Sequence, residues 1–160
     1  MSRPKLIGVV HLPPLPGSVR GRREFSRLSA SDLLNNAGHR AIQETQLFQK
    51  MGFDGVILEN YGDQPFHKNQ VGPETISSMG VIACAVREVT KLTVGINVLR
   101  NDARAALAIA AVGGCHFIRV NVLSGVIAAD QGMIEGDAAT LLRERESLNC
   151  EVEIFGDVHV

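Results

Sequence analysis

Five short stretches of the chain are apolar and rich in β-branched residues, which is typical of β-strands. These stretches lie at residues 6–12, 55–60, 93–99, 117–123 and 152–160. Between them, apolar residues recur at helical spacing over 29–52, 73–90, 101–114 and 136–149. The alternation of strand and helix predicts an α/β fold with a parallel sheet joined by right-handed crossovers.

Residues that favour helix termini stand at the starts of these helical segments. Ser29 or Ser31 is expected to cap the first segment, and Asn101 or Asp102 the third, because short polar side chains accept hydrogen bonds from free N–H groups. Pro73 suits the first turn of the second segment. The caps support the helical interpretation independently of the apolar spacing.

The predicted strands carry polar side chains on one face, which distinguishes two architectures. In the fourth strand Arg119 and Asn121 alternate with Ile118, Val120 and Val122. Strands of an open sheet covered on both faces are nearly continuously apolar, whereas a (β/α)8 barrel turns one face of each strand toward a polar mouth. Further polar residues near the strand ends are His11, Glu59, Asn97, Asp157 and His159. The pattern favours the barrel.

The length of the chain does not fit a complete barrel. The predicted strands begin roughly 36 residues apart, and a full barrel of eight units needs about 250 residues. Residues 1–160 are therefore expected to form a single TIM-barrel domain that is truncated after about five strands and four helices. Roughly the last three βα units would be absent.

Composition limits which binding partners and which cellular compartment are expected for the chain. Apolar residues make up 45% of the chain, and the formal net charge is −1, so no nucleic-acid partner is expected. The small-residue run at 105–114 is too short for a transmembrane segment, and no secretory signal is evident. The three cysteines, Cys84, Cys115 and Cys150, suit reduced, buried thiols in the cytoplasm.

Six motifs, taken in order, resemble those of the BtpA family. They are HLPPLPGS at 11–18, ENYGDQPFHK at 59–68, VGINVLRNDARAALAIA at 94–110, FIRVNVLSG at 117–125, DQGMIEG at 130–136 and DVHV at 157–160. The resemblance implies a (β/α)8 barrel, of which this chain matches the N-terminal part. The family is named for a thylakoid-associated factor needed for photosystem I accumulation. Similar proteins occur in organisms without photosynthesis, where a sugar or nucleoside enzyme role has been suggested.

Four residues are candidates for acid–base catalysis at the mouth: His11, Glu59, Asp157 and His159. A carboxylate there can act as a general base, but Glu59 could equally form an ion pair with Arg119. Arg119 inside a strand requires a partner, either Glu59 or Asp157. No close pattern such as H-x-x-x-H supports a metal site, and neither the residues nor the resemblance identifies a cofactor.

A second group of polar residues is expected to bind substrate. The group consists of Asn97, Arg100, Asn101, Arg119, Asn121 and Asp130. The guanidinium fork of Arg100 suits a phosphate or carboxylate. Asp130 lies in a polar segment, 130–136, which is interpreted as a long loop suited to folding over the mouth.

These observations lead to two hypotheses about function. The first is an enzyme that uses acid–base chemistry on a small polar substrate, such as a sugar, nucleoside or phosphorylated compound; the resemblance implies a hydrolase or lyase, for example a nucleosidase. The second is a non-catalytic assembly factor for photosystem I, peripheral on the thylakoid membrane. The exposed edges of an incomplete barrel predict self-association and low activity of this chain alone.

Overall fold

The computed structural model describes residues 5–158 and consists of a main sheet, a small hairpin and a layer of helices. The main sheet contains β1 (Ile7–His11), β2 (Gly55–Glu59), β3 (Thr93–Asn97), β4 (Phe117–Val120) and β7 (Glu153–Gly156). Its strands are parallel, in the order β1-β2-β3-β4-β7. The α/β class and the parallel sheet predicted from the sequence are confirmed.

Five α-helices and a short 3-10 turn connect the strands. The helices are α1 (Val19–Glu24), α2 (Ala30–Lys50), α3 (Pro73–Val89), α4 (Ala103–Val112) and α5 (Ala138–Ser147), and the 3-10 turn is Tyr61–Asp63. Helices α2, α3, α4 and α5 contact one another in sequence order, so they form one layer. Among residues 5–158, no helix has both the length and the apolar character needed to span a membrane.

The caps predicted for the helices form largely as expected. Ser29 caps α2 in a reciprocal capping box with Asp32, and Pro73 occupies the first turn of α3. Of the two candidates at α4, Asp102 is the cap, since its carboxylate accepts the Ala105 N–H at 3.0 Å. These contacts satisfy N–H groups that the helices themselves leave unpaired.

The hydrophobic core lies between the sheet and the helix layer. Strand residues such as Val56, Ile96 and Ile118 are fully buried there against helix residues such as Met79 and Ala106. Because side chains alternate along a strand, the residues between these positions lie on the opposite face of the sheet. That second face carries the polar residues singled out from the sequence.

Two elements differ from the sequence-based interpretation. Residues 19–24, which lie outside the predicted helical segments, form α1, which Ser18 caps. The segment 130–136, predicted to be a long loop, belongs to an antiparallel hairpin of β5 (Val126–Ala129) and β6 (Gly132–Glu135). Asp130 therefore lies at a hairpin tip.

The fourth and fifth strands of the main sheet are shorter than predicted. Strand β4 ends at Val120, and β7 ends at Gly156. Asn121 and Asp157 thus follow their strands directly, and the Asp157 N–H still bonds the carbonyl of Val120 at 3.1 Å. The predicted strand end at 159–160 lies outside the described residues.

The three cysteines differ in exposure. Cys115 is buried and Cys150 is partly buried, but Cys84 is exposed on α3, so the expectation that all three are buried is wrong for Cys84. All three are free thiols. Burial raises the pKa of Cys115 to about 11, with only minor effects from Arg87 and Cys84.

Candidate functional site

Strand register brings three of the predicted site residues into one row. His11 is the last residue of β1 and pairs with Glu59 at the end of β2, which in turn pairs with Asn97 at the end of β3. Adjacent parallel strands lie about 4.8 Å apart, so side chains at paired positions on one face come within contact distance. The row forms at the carboxyl edge of the sheet.

The carboxylate of Glu59 is the centre of this row. Only 4% of Glu59 is exposed, and its Oε2 atom accepts a 2.6 Å hydrogen bond from Asn97 Nδ2. Arg119 Nη1 donates to the same oxygen at 3.4 Å, while His11 Nε2 lies 3.3 Å from Oε1. A buried carboxylate needs such partners to offset the loss of hydration.

Arg119 links Glu59 to Asp157. Its Nε and Nη2 atoms donate to Asp157 Oδ1 and Oδ2, each at 2.9 Å, in a bidentate pair. Arg119 therefore donates hydrogen bonds to both of the carboxylates that the sequence suggested as partners, Glu59 and Asp157. The hydrogen bonds that Arg119 donates to Asp157 raise the pKa of the guanidinium further, although burial acts in the opposite direction.

Asp157 is held as a carboxylate. Burial by itself would raise the pKa of Asp157, but hydrogen bonds from Arg119 and Asn121 and the charges of Arg119 and Arg100 outweigh it, so the pKa lies below its usual value. The bond from Asn121 Nδ2 to Asp157 Oδ2 measures 3.0 Å. An aspartate in this state accepts hydrogen bonds and is a poor proton donor near neutral pH.

His11 is the exposed member of the group. Half of its side chain, 52%, is accessible, whereas the carboxylate beside it is almost fully buried. The imidazole stacks on Tyr61 with ring centroids 4.3 Å apart and planes inclined by 17°. One ring nitrogen faces Glu59, and the stacking holds the ring at the edge of the sheet.

The other predicted binding residues lie in the connections that follow the strands. The Asn101 amide exchanges hydrogen bonds with the backbone of Val122, at 2.8 and 3.1 Å, which ties the loop after β3 to the end of β4. Arg100 is partly buried. Asp130 is exposed and lines an open cleft of about 620 Å³ with Arg20, Arg23 and Phe66, a cleft that His11 and its partners do not line.

Sequence reasoning missed a hydrogen-bonded pair, the buried Asn60 and the partly buried Asp63, that joins three loops at the carboxyl edge of the sheet. Asn60 is 1% exposed, and its amide accepts from the Leu99 N–H at 2.7 Å and donates to the Leu99 carbonyl at 3.3 Å. Its amide nitrogen also donates to Asp63, which accepts the Leu15 N–H at 2.8 Å. Burial raises the pKa of Asp63. Two short polar residues just after a buried strand were the available signal.

The close approach of these loops depends on Gly62. A Cβ atom there would lie 2.4 Å from backbone atoms of Pro13 and Pro14, too close for any other residue. The Gly62 N–H donates to the Leu12 carbonyl at 3.0 Å. The stiff proline loop is thereby held against the turn that carries Tyr61.

His159, the remaining catalytic candidate, lies outside the described residues, so its pairing with Asp157 stays a prediction. Within residues 5–158, no cluster of three or more His, Cys, Asp or Glu side chains is arranged to hold a metal ion. Hydrogen bonds join Glu59, Asn97, Arg119, Asn121 and Asp157 into one group, and His11 lies beside it with its Nε2 atom 3.3 Å from Glu59.

Comparison with known proteins gives one family. The model of the BtpA family matches residues 2–160. The chain is 48% identical to an uncharacterized protein of Pyrococcus horikoshii, over 97% of this chain and 56% of that protein. It is 47% identical to the photosystem I biogenesis protein BtpA of Synechocystis sp., over 97% of this chain and 51% of that protein.

More distant similarity extends to an animal protein. An uncharacterized mitochondrial protein of Caenorhabditis elegans is 36% identical, over 98% of this chain and 56% of its own length. The chain thus spans about half the length of the curated relatives it matches. No solved structure matches it significantly.

Proposed function

The chain belongs to the BtpA family, and we propose that it forms an arc of a (β/α)8 barrel whose mouth performs acid–base chemistry on a small polar substrate. The domain would be a single barrel, of which residues 1–160 supply about five strands. The hydrogen-bonded group around Glu59 would be its catalytic centre.

Two features of the fold support the barrel. Each strand of the main sheet pairs with the next parallel strand along the chain, without the reversal of order that defines a doubly wound sheet. The helices α2 to α5 form a single layer, as the outer ring of a barrel does. The polar group lies at the carboxyl ends of the strands, where barrel enzymes keep their catalytic residues.

The observation that carries the proposal is an exposed imidazole beside a buried carboxylate. His11 is half exposed, and its Nε2 atom lies 3.3 Å from Glu59, whose side chain is 5% exposed. A carboxylate in this position selects the tautomer that carries a proton on Nε2 and leaves Nδ1 free to accept a proton. Such contacts are often long before substrate binds.

The proposal assigns distinct roles to the partners of His11. Glu59 orients the imidazole and stabilises its protonated form, and Asn97 and Arg119 hold Glu59 in place. Asp157 holds the Arg119 fork in turn. Proton transfer to and from the substrate is assigned to His11, since Asp157 has a lowered pKa and a bidentate partner.

The proposed substrate class follows from the polarity of the side chains around His11. Hydrogen-bonding side chains around a half-exposed imidazole suit a sugar, a nucleoside or a phosphorylated derivative, and the reaction would be a hydrolysis or an elimination. Arg100 and Asn121 would contact the substrate near Asp157, while Asn101 would act through the loop that it braces.

A substrate search can use Tyr61 as a reporter. The chain contains one tyrosine and no tryptophan, so emission excited at wavelengths longer than the phenylalanine absorption band comes from Tyr61 alone. The 160-residue chain would be titrated with nucleosides, sugars and sugar phosphates, and NMR would detect products. We expect at least one compound to change the emission and to yield product, although slowly. A panel in which no compound does either would contradict the enzymatic proposal.

The second candidate function is assembly of photosystem I, which rests on the printed name of the Synechocystis relative. An apolar groove between α3 and α4, lined by Val81, Cys84 and Val112, offers a surface for such contacts. Co-sedimentation of the purified chain with purified photosystem I subunits tests this function. If the chain binds these subunits and a Val112→Asp substitution abolishes the binding, the assembly function is supported. Absence of binding would oppose this function.

The proposal includes a soluble, cytoplasmic chain that self-associates, with peripheral membrane binding as the alternative. Strands β1 and β7 are the edges of the sheet, and Phe155 on β7 is 40% exposed. Unpaired strand edges favour pairing with a second chain. Light scattering on the 160-residue chain should therefore give a mass above that of the 17.2 kDa monomer; a monomer at all concentrations would contradict this part.

A further inference from the structure

Two buried polar atoms in the loops after β3 and β4, which the Asn101–Val122 hydrogen bonds hold together, have no hydrogen-bond partner among the described residues. They are the amide oxygen of Asn121 and the Nε atom of Arg100. Asn121 as a whole is 4% exposed, and Arg100 is partly buried. A buried polar group without a partner destabilises the fold, so native proteins usually satisfy such groups with another residue, an ordered water or a ligand.

The orientation of the Asn121 amide follows from its contact with Asp157. Its nitrogen donates to Asp157 Oδ2 at 3.0 Å. The reversed amide would place its oxygen against this carboxylate, which would bring two acceptors together. The amide oxygen therefore points away from Asp157, and none of the described residues donates a hydrogen bond to it.

Arg100 has a hydrogen-bond donor without an acceptor, whereas Asn121 has an acceptor without a donor. Its backbone is held by hydrogen bonds to His67 and Asn69 at 3.1 Å each, and its guanidinium lies near enough to Asp157 to act on that carboxylate. The Nε–H group needs an acceptor. Because the side chain is partly exposed, it can shift to admit one.

The charges around these two atoms argue against a simple phosphate site. The carboxylates of Glu59 and Asp157 face the guanidinium groups of Arg119 and Arg100, so the group is nearly neutral. Three donor contacts of Arg119 are already committed to the two carboxylates. A phosphate also offers mainly acceptors, whereas the Asn121 oxygen needs a donor.

We propose that Arg100 and Asn121 form a subsite for a hydroxyl group of a neutral, polyhydroxylated substrate. The hydroxyl oxygen accepts from Arg100 Nε–H, and the hydroxyl proton is donated to the Asn121 oxygen, because a hydroxyl group can do both at once. The inference rests on the proposed function and narrows its substrate to a polyol or sugar moiety bound through a hydroxyl group beside Asp157.

NMR titration of the 160-residue chain tests the subsite directly. The probes are erythritol, which is a neutral polyol, and inorganic phosphate, and the signals are the Arg100 Nε–H and Asn121 side-chain amide resonances. We expect erythritol to shift both signals in a saturable manner. Phosphate should bind with at least tenfold lower affinity. Tighter binding of phosphate, or no shift with erythritol because ordered water occupies the site, would overturn the proposal.

Two variants separate recognition from folding. Arg100→Lys keeps the positive charge but lacks the Nε–H donor, and Asn121→Leu removes the acceptor. Each substitution should lower the affinity for erythritol at least tenfold. The matched exposed changes Arg40→Lys and Asn36→Leu on α2 should leave binding unchanged. Equal affinity in Arg100→Lys and the unchanged chain would refute the assignment of the Nε atom.

The erythritol experiment can fail or succeed independently of the acid–base proposal, because the two depend on different residues. Erythritol binding requires Arg100 and Asn121, whereas proton transfer is assigned to His11. A His11→Asn chain should therefore still bind erythritol within about twofold of the unchanged chain. Polyol binding without any turnover would leave the subsite standing and remove the catalytic assignment.

Discussion

Replacing Arg119 by methionine should destabilise the fold much more than removing an arginine from the surface. Arg119 donates two 2.9 Å bonds to Asp157 and contacts Glu59 at 3.4 Å. Methionine keeps much of the apolar stem but removes the guanidinium that bonds both carboxylates and leaves Arg100 as the cation that acts on Asp157. One of these carboxylates, Glu59, is buried.

The expected loss follows from the exposure of the pair. Removing one partner of a fully buried ion pair costs about 3–5 kcal/mol, whereas an exposed pair contributes about 0–1 kcal/mol. The side chains of Arg119 and Asp157 are 33% and 18% exposed. We therefore expect Arg119→Met to lower the unfolding free energy by about 2–3 kcal/mol, which corresponds to roughly 4–12 °C in Tm for a chain of this size.

Urea unfolding followed by circular dichroism measures this loss, with Arg40→Met as the control. Arg40 pairs with Glu44 on the surface of α2, at 3.2 Å and 55% exposure. The control should lose less than about 1 kcal/mol. If Arg119→Met lost no more than the control, the ion-pair group would contribute little to stability, and the reasoning above would be refuted.

The pH dependence of this loss has a defined sign. The pKa of Asp157 is lowered in the folded chain because bonds from Arg119 and Asn121 outweigh the effect of burial. Its stabilisation is complete above the unfolded value of about 3.9 and is lost as pH falls through the folded value. The difference between the unchanged chain and Arg119→Met should shrink below about pH 4; growth at low pH would contradict the argument.

Three further outcomes are expected. Ser29→Ala breaks the capping box of α2 and should cost about 1 kcal/mol, seen as a Tm lower by about 2–4 °C. The unfolding free energy of Asp63→Asn relative to that of the unchanged chain should rise in urea titrations as the pH increases above about 4, because burial raises the pKa of Asp63 and its ionisation opposes folding. Iodoacetamide at pH 8, with peptide mapping, should label the exposed Cys84 and spare the buried Cys115, whose pKa is raised to about 11.

The sequence predicted the sheet well because apolar alternation is a local property. The positions of the five main strands and the shared face of Glu59, Asn97 and Arg119 follow from a period of two along each strand. The choice of partners does not follow from that period. Arg119 was expected to pair with one of two carboxylates and contacts both, since the distances depend on the register and twist of neighbouring strands.

The missed elements lacked strong local signals. Helix α1 has a glycine at position 21 and three arginines, with few apolar residues to mark a buried face. The hairpin turns through Asp130 and Gln131, which lack the Asn-Gly or Asp-Gly signature of a tight turn. Tyr61 was not selected because its stacking on His11 joins the end of β1 to a turn that lies far away in the sequence.

The rate of product formation by His11→Asn tests the central claim most directly. The comparison uses the nucleoside, sugar and sugar phosphate panel, with His39→Asn on the exposed face of α2 as the control. If His11 transfers the proton, its loss should reduce the rate about 100-fold or more, while the control keeps the rate of the unchanged chain. A His11→Asn rate within threefold of that rate, or no product from the unchanged chain, would contradict the account.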